Sequence, residues 1–137
     1  MHSIIEQLKK HEGFKSKPYK DTEGFLTIGY GWNLDVNGLP EDICETLLRR
    51  KTEEIYKILN KYDVFKKLDN VRKKVLLDMA YNLGINSLFK FEKMFNALEE
   101  DDYEKAAEEM RDSKWAKQVK TRADRLIKMM KTGEDYG

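Results

Sequence analysis

The chain has 137 residues, 40% of them hydrophobic and 37% charged, which suits one domain with a buried core and a highly polar surface. Its net charge of +1 supplies no basic field for nucleic acid, and nothing approaches the ~18 apolar residues of a membrane span. Its one cysteine, Cys44, excludes an internal disulfide, and with only His2 and His11 to join it a Cys/His zinc cluster or nucleophilic pair has no support.

The N-terminal segment places Ile4, Ile5 and Leu8 at helical spacing, with Ser3 in a capping position and Glu6 three residues on. Gly13 predicts the helix end, because glycine takes the left-handed conformation that closes many helices. Glu12 therefore falls at a helix C-terminus, where the dipole opposes an ionised carboxylate. Stability alone prefers Lys or Arg there, whereas a proton donor is well served by such a place. Pro18, Tyr19 and Lys20 read as an extended strand, Asp21-Thr22-Glu23-Gly24 as a hairpin loop, and Phe25 to Trp32 as the returning strand. Alternation puts Leu26, Ile28, Tyr30 and Trp32 on one face and Phe25, Thr27, Gly29 and Gly31 on the other. Thr27 thus stands on a face kept open by small residues, and glycines within a strand mark the close approach of a ligand or another backbone. Two carboxylates, Glu12 and Asp21, in different environments near one open face form the constellation of glycoside hydrolysis. One protonates the leaving oxygen; the other activates water or attacks the sugar. Composition alone argues for less, since most Asp and Glu side chains are solvated surface groups.

Residues 33–40 read as a loop that ends at a helix start, with Glu41 and Asp42 in the favourable first turn. Ile43, Leu47, Leu48, Ile55, Ile58, Leu59 and Tyr62 then mark one long helix with a core-facing stripe, and Cys44 within that pattern reads as a small core residue. Leu68, Val71, Val75, Leu76, Met79 and Ala80 mark the next helix, ending near Asn82-Leu83-Gly84. It is expected to be the central buried one. Residues 87–91 form a short aromatic link, and Met94, Phe95 and Leu98 continue a helix to about Glu99. Residues 99–112 are acidic, with Asp102 as a cap and Tyr103, Ala106, Ala107 and Met110 as the apolar side. Residues 113–131 are basic, with Trp115, Val119, Ala123, Leu126, Ile127 and Met130 as theirs. Such charge runs are usually solvated helix faces. The pattern as a whole is mostly helical α+β with one small N-terminal hairpin.

The string H-E-G-F, followed by Y-K-D-T-E-G-F-L-T-I-G-Y-G, resembles the active-site signature of phage-type lysozymes (endolysins, muramidases). That signature has a Glu, an Asp nine residues on and a Thr six beyond; Glu12, Asp21 and Thr27 keep both spacings. S-K-W-A-K-Q-V-K-T-R-A-D-R, from Ser113 to Arg125, is similar to the C-terminal signature of the same enzymes, and M-A-Y-N-L-G to their central helix and its exit. The resemblance implies a single lysozyme-like domain, α+β and mostly helical. A small β-hairpin lobe is expected at about 13–60, and a larger helical lobe at about 61–137 that also takes the N-terminal helix 3–12. It implies Glu12 as general acid, Asp21 as the carboxylate on the far side of the sugar, and Thr27 as the hydroxyl that helps hold the attacking water. It also implies that Arg122 faces the catalytic Glu and that Asn82 lines the cleft. Gln118 and Trp115 pack or hydrogen-bond beside Asn82, and Tyr30 and Trp32 join Asn82, Gln118 and Arg122 as candidate substrate-binding residues. No cofactor and no metal are expected.

The chain departs from the family at two places. Trp32 stands where the family usually has His, and it either packs under the hairpin or offers a flat face to a sugar ring. Val119-Lys120-Thr121 replaces the usual Thr-Pro-Asn before the arginine. The implied activity is a muramidase that hydrolyses the β-1,4 bond between N-acetylmuramic acid and N-acetylglucosamine in peptidoglycan, with inversion, for host cell lysis. No secretory signal is visible. The expected course is synthesis in the host cytoplasm, release by a membrane-permeabilising partner, commonly a holin, and action on the periplasmic wall as a monomer. Three rival readings exist: a lytic transglycosylase, a non-catalytic peptidoglycan-binding module, and a helical protein that docks through Glu104, Glu108 and Glu109.

Overall fold

The computed structural model describes residues 2–136, and the chain divides into two compact units, the first closing at Leu47 and the second running from Leu48. In the first unit, α1 (His2–Glu12) begins one residue before the Ser3 expected as its cap and ends at Gly13, whose φ is +69° and whose N–H donates to the Lys9 carbonyl at 2.9 Å. Three antiparallel strands follow in sequence order: β1 (Lys15–Lys20), β2 (Leu26–Gly29) and β3 (Trp32–Asn33). The β1–β2 register is interrupted between Lys15 and Tyr19, the stretch that contains Pro18, which has no N–H to give to a ladder.

The expected single returning strand is two strands. Gly29 and Gly31 both take φ of +67°, so Gly29-Tyr30-Gly31 turns the chain, and alternation of faces stops at Gly29. The expected loop after Trp32 contains one helical turn, α2 (Leu34–Asn37). Asn33 Oδ1 caps it by accepting from the Val36 N–H at 3.0 Å, and Asp35 Oδ2 ties it to β2 by accepting from the Leu26 N–H at 2.6 Å.

The long helix is α3 (Glu41–Leu59), and the division between the units falls within it. Its stripe is not uniformly core: Ile55 and Leu59 are buried, whereas Ile43, Leu47 and Leu48 are exposed. Cys44, expected in the core, is exposed too. Periodicity identifies which face of a helix is apolar, not how much of that face is covered.

The second unit holds the hydrophobic core. It contains α4 (Asp63–Lys66), α5 (Asn70–Leu83), α6 (Ile85–Phe89), α7 (Glu92–Glu99), α8 (Tyr103–Arg111), α9 (Lys114–Val119) and α10 (Thr121–Thr132). α5 starts at Asp69, whose side chain accepts from the Arg72 N–H, and buries Val75, Leu76, Met79 and Ala80, as its spacing predicts. α8 packs against both α7 and α10. Its buried face is Ala106, Ala107 and Met110, and small residues let the facing helix, with Ala123, come close. Asp102 caps α8 through the Lys105 N–H at 3.0 Å, as its position suggests. The basic segment breaks in two at Lys120, where φ is +41°. Among the described residues no helix is long and apolar enough to cross a membrane.

Candidate active site

The first unit gathers two of its candidate groups, Asp21 and Thr27, around one backbone residue, Phe25. The Phe25 N–H donates to Asp21 Oδ1 at 2.8 Å. The Phe25 carbonyl accepts from the Asp21 N–H at 2.9 Å and from Thr27 Oγ1 at 2.9 Å. A fourth bond, from the Glu23 N–H to Asp21 Oδ1 at 2.9 Å, closes the loop, with Gly24 at φ +86° completing the turn. Asp21 Oδ1 is thereby committed to the loop, while Oδ2 has no hydrogen-bond partner among the described residues. Thr27 is 3% exposed and sits on the central strand, paired with Tyr19 on one side and Asn33 on the other. Its hydroxyl hydrogen is spent on Phe25, so the oxygen lone pairs remain to accept from a water.

Glu12 is exposed and makes no hydrogen bond or ion pair among the described residues. Its carboxyl lies on Gly31: a Cβ built there would fall 2.3 Å from Glu12 Oε2 and 2.8 Å from Cδ. Gly31 is therefore glycine for two reasons, its positive φ and the carboxyl that occupies the space of a side chain. The close approach expected at the glycines is thus, at Gly31, that of Glu12. Between the two glycines, Tyr30 packs on Phe14 with ring centroids 5.3 Å apart, and Lys9 Nζ lies 5.6 Å from its ring centroid. Trp32 donates from Nε1 to the Gly38 carbonyl at 2.8 Å, and its residue remains 41% exposed. The indole is anchored by its edge, so both readings of Trp32 keep a physical basis.

The other candidates lie on the second unit. Trp115 is buried and donates from Nε1 to Asn82 Oδ1 at 2.8 Å, which fixes the orientation of the amide and leaves its NH₂ to donate elsewhere. Trp115 and the exposed Gln118 line one groove of about 800 Å³ with Phe91 and Ser87. Arg122 lies in the first turn of α10 and is held by Asp78 of α5: Nε donates to Asp78 Oδ1 at 2.8 Å, and Nη2 lies 2.6 Å from the same oxygen.

Comparison with known proteins shows the family of the chain. The phage lysozyme family matches residues 9–131. The chain belongs to the phage lysozyme family. Probable T4-type lysozyme 1 of Dictyostelium discoideum is 30% identical, covering 96% of this chain and 95% of that protein. Probable T4-type lysozyme 2 of the same organism is 31% identical over the same shares. The pre-baseplate central spike protein Gp5 of Enterobacteria phage T4 is 30% identical over 98% of this chain but only 29% of its own length. The chain is accordingly a glycoside hydrolase of the lysozyme type, with peptidoglycan as its substrate.

Two residues of this lysozyme carry local structure that sequence reasoning did not single out. Asp78 sits on α5 beside the buried Leu76, Met79 and Ala80; its partner Arg122 is 44 positions away. Arg72, 9% exposed, donates from Nε to the Met130 carbonyl at 2.7 Å and from Nη2 to the Lys131 carbonyl at 3.2 Å. It also pairs with Asp69 and stacks 3.5 Å over the Tyr103 ring. It satisfies two carbonyls at the end of α10, a structural duty.

Proposed function

We propose that this lysozyme is a muramidase that hydrolyses the β-1,4 bond between N-acetylmuramic acid and N-acetylglucosamine with inversion. Glu12 protonates the leaving glycosidic oxygen. Asp21 takes a proton from a water held also by Thr27, and that water attacks the opposite face of the sugar. Tyr30, Trp32, Asn82, Gln118 and Arg122 contact the glycan. The observation that carries this reading is the one-sided tether of Asp21: Oδ1 is held by two backbone N–H groups, Oδ2 is left open, and Thr27 is fastened to the same Phe25 carbonyl as the Asp21 backbone. Such a carboxylate is fixed in place without being used up, as a base beside a positioned water must be. The reading extends to host cell lysis, with synthesis in the cytoplasm, release through a holin and action on the periplasmic wall.

The test is clearing of a purified Gram-negative peptidoglycan suspension. Glu12→Gln is expected to abolish clearing, a loss of about 10²–10⁴-fold or more, with the circular dichroism spectrum unchanged. A folded Glu12→Gln that clears at the wild-type rate removes Glu12 from the mechanism. Mass spectrometry of the released muropeptides is expected to show reducing ends; anhydro ends would make the enzyme a lytic transglycosylase. Proton NMR of the first product formed, read before mutarotation, distinguishes inversion from retention.

A further inference from the structure

α5 and α10 line a groove of about 460 Å³ on the second unit, whose charged residues are Lys74, Asp78, Arg122, Arg125 and Asp135. Two of the cations are paired within it, Lys74 with Asp135 and Arg122 with Asp78. The two pairs differ in geometry. Lys74 is a point charge on a flexible stem, whereas Arg122 is gripped along one edge of its planar guanidinium, by Nε at 2.8 Å and Nη2 at 2.6 Å from a single oxygen, Asp78 Oδ1. Nη2 also donates to the Asp78 backbone carbonyl at 3.5 Å, whereas Nη1 has no partner among the described residues, so its hydrogens remain to donate outward.

The anchor is rigid. Asp78 is flanked in sequence by Leu76, Met79 and Ala80, all buried, so its Cα rides on the packed helix of the unit while its side chain stays 40% exposed. Arg122 is 42% exposed and, without that grip, is a long side chain free to sample many rotamers. Binding a sugar oxygen then carries the entropy cost of freezing it, and a preorganised guanidinium avoids most of that cost. Asp78 also balances the charge of Arg122, which leaves the free edge suited to a neutral acceptor.

We propose that Asp78 is the positioning residue for Arg122, holding its Nε/Nη2 edge so that the Nη1 edge meets an acceptor oxygen of an N-acetylated sugar. The inference rests on the reading of Arg122 as a glycan contact. The two are separated by a double-mutant cycle on kcat and KM for a soluble glycan-chain fragment, with Asp78→Ala, Arg122→Ala, the double variant and Asp78→Asn. Arg122→Ala and Asp78→Ala are each expected to lower kcat/KM about tenfold, between the few-fold effect of an exposed ion pair and the hundredfold cost of a misplaced contact. Asp78→Ala is expected to do nothing further once Arg122 is gone. Asp78→Asn, which keeps the acceptor oxygen but not the charge, is expected to recover part of the loss. Melting temperatures within a few degrees of wild type would show that both sites lie outside the core. Wild-type kinetics for Arg122→Ala would overturn the reading of Arg122 and this inference with it. An impaired Arg122→Ala together with a silent Asp78→Ala, or with effects that simply multiply in the double variant, would overturn the role of Asp78 and leave Arg122 in place.

Discussion

Up to Leu47, the one buried residue among those described is Thr27, a hydroxyl; from Ile55 to Met130 the buried set is apolar except for Arg72. The first unit keeps its local shape through backbone hydrogen bonds, an aspartate-closed loop and glycines at positive φ. The second keeps its shape through packing of Leu76, Met79, Leu88, Met94, Leu98, Met110 and Met130. The proposed chemistry sits on the unit held by directional bonds, where a carboxylate can be placed without being desolvated or paired. Packing supplies stability but fills space, and a reacting group needs space. The two units should therefore fail differently when mutated, one losing activity and the other losing the fold.

The sharpest way to test that difference is Gly31→Ala. The added methyl would fall 2.3 Å from Glu12 Oε2, so the Glu12 carboxyl must move, and φ of +67° adds about 1–2 kcal/mol of backbone strain. Clearing activity is expected to drop about a hundredfold, because a displacement near 1 Å in a reacting group costs about that much. The melting temperature is expected to fall by only a few degrees. A Gly31→Ala variant as active as wild type would show that Glu12 works from a position other than the one it holds against Gly31.

What the sequence displayed follows the same division. Glu12, Asp21 and Thr27 could be singled out as candidates because they lie within one short stretch whose spacing resembles the family signature. The second turn at Gly29-Tyr30-Gly31 was missed because two glycines in a β-like run fit either a thin strand or a reversal, and only their φ values decide. Helices α5, α7 and α8 of the second unit were legible from periodicity, and the cap at Asp102 from residue type. Asp78 and Arg72 were not, because their partners Arg122 and Met130 lie 44 and 58 positions away and a charged residue on a helix carries no mark of a partner so distant in sequence. Cys44 was misplaced for a related reason: a helical stripe predicts an apolar face but not its cover.

The opposite failure is expected from Leu76→Ala. Leu76 has no exposed surface and sits among the largest core side chains. The cavity should cost about 2–5 kcal/mol, read as a lower urea midpoint. Activity per folded molecule should stay near wild type, since the change does not touch the hydrogen bonds around Phe25. If Leu76→Ala lost activity in proportion to Gly31→Ala while still fully folded, the separation of duties between the units would be wrong.

The smallest effect tests whether the second unit has any electrostatic component worth measuring, and Asp69 is the place to look. Burial pushes its carboxyl toward the protonated form. The Arg72 backbone N–H at 2.9 Å, the guanidinium hydrogen bond at 2.8 Å and the guanidinium charge together outweigh that, so the group titrates below its ordinary value of 3.8. A carboxyl whose affinity for protons is lower in the folded than in the unfolded chain stabilises the fold above the unfolded pKa, and that contribution fades as pH falls through the folded value. The window is therefore below about pH 4. The side chain is 42% exposed, so solvent screening holds the contribution to at most about 1 kcal/mol. Asp69→Asn keeps an oxygen to cap α5 and removes the charge, which separates the two duties. Its stability deficit against wild type, measured by urea unfolding, should be present at pH 7 and should shrink as the pH falls below about 4 and wild type itself takes up a proton at this position. A deficit of the same size at both ends would mean that the carboxylate matters only as a cap, and that even the buried arginine of this unit is held by geometry rather than by charge.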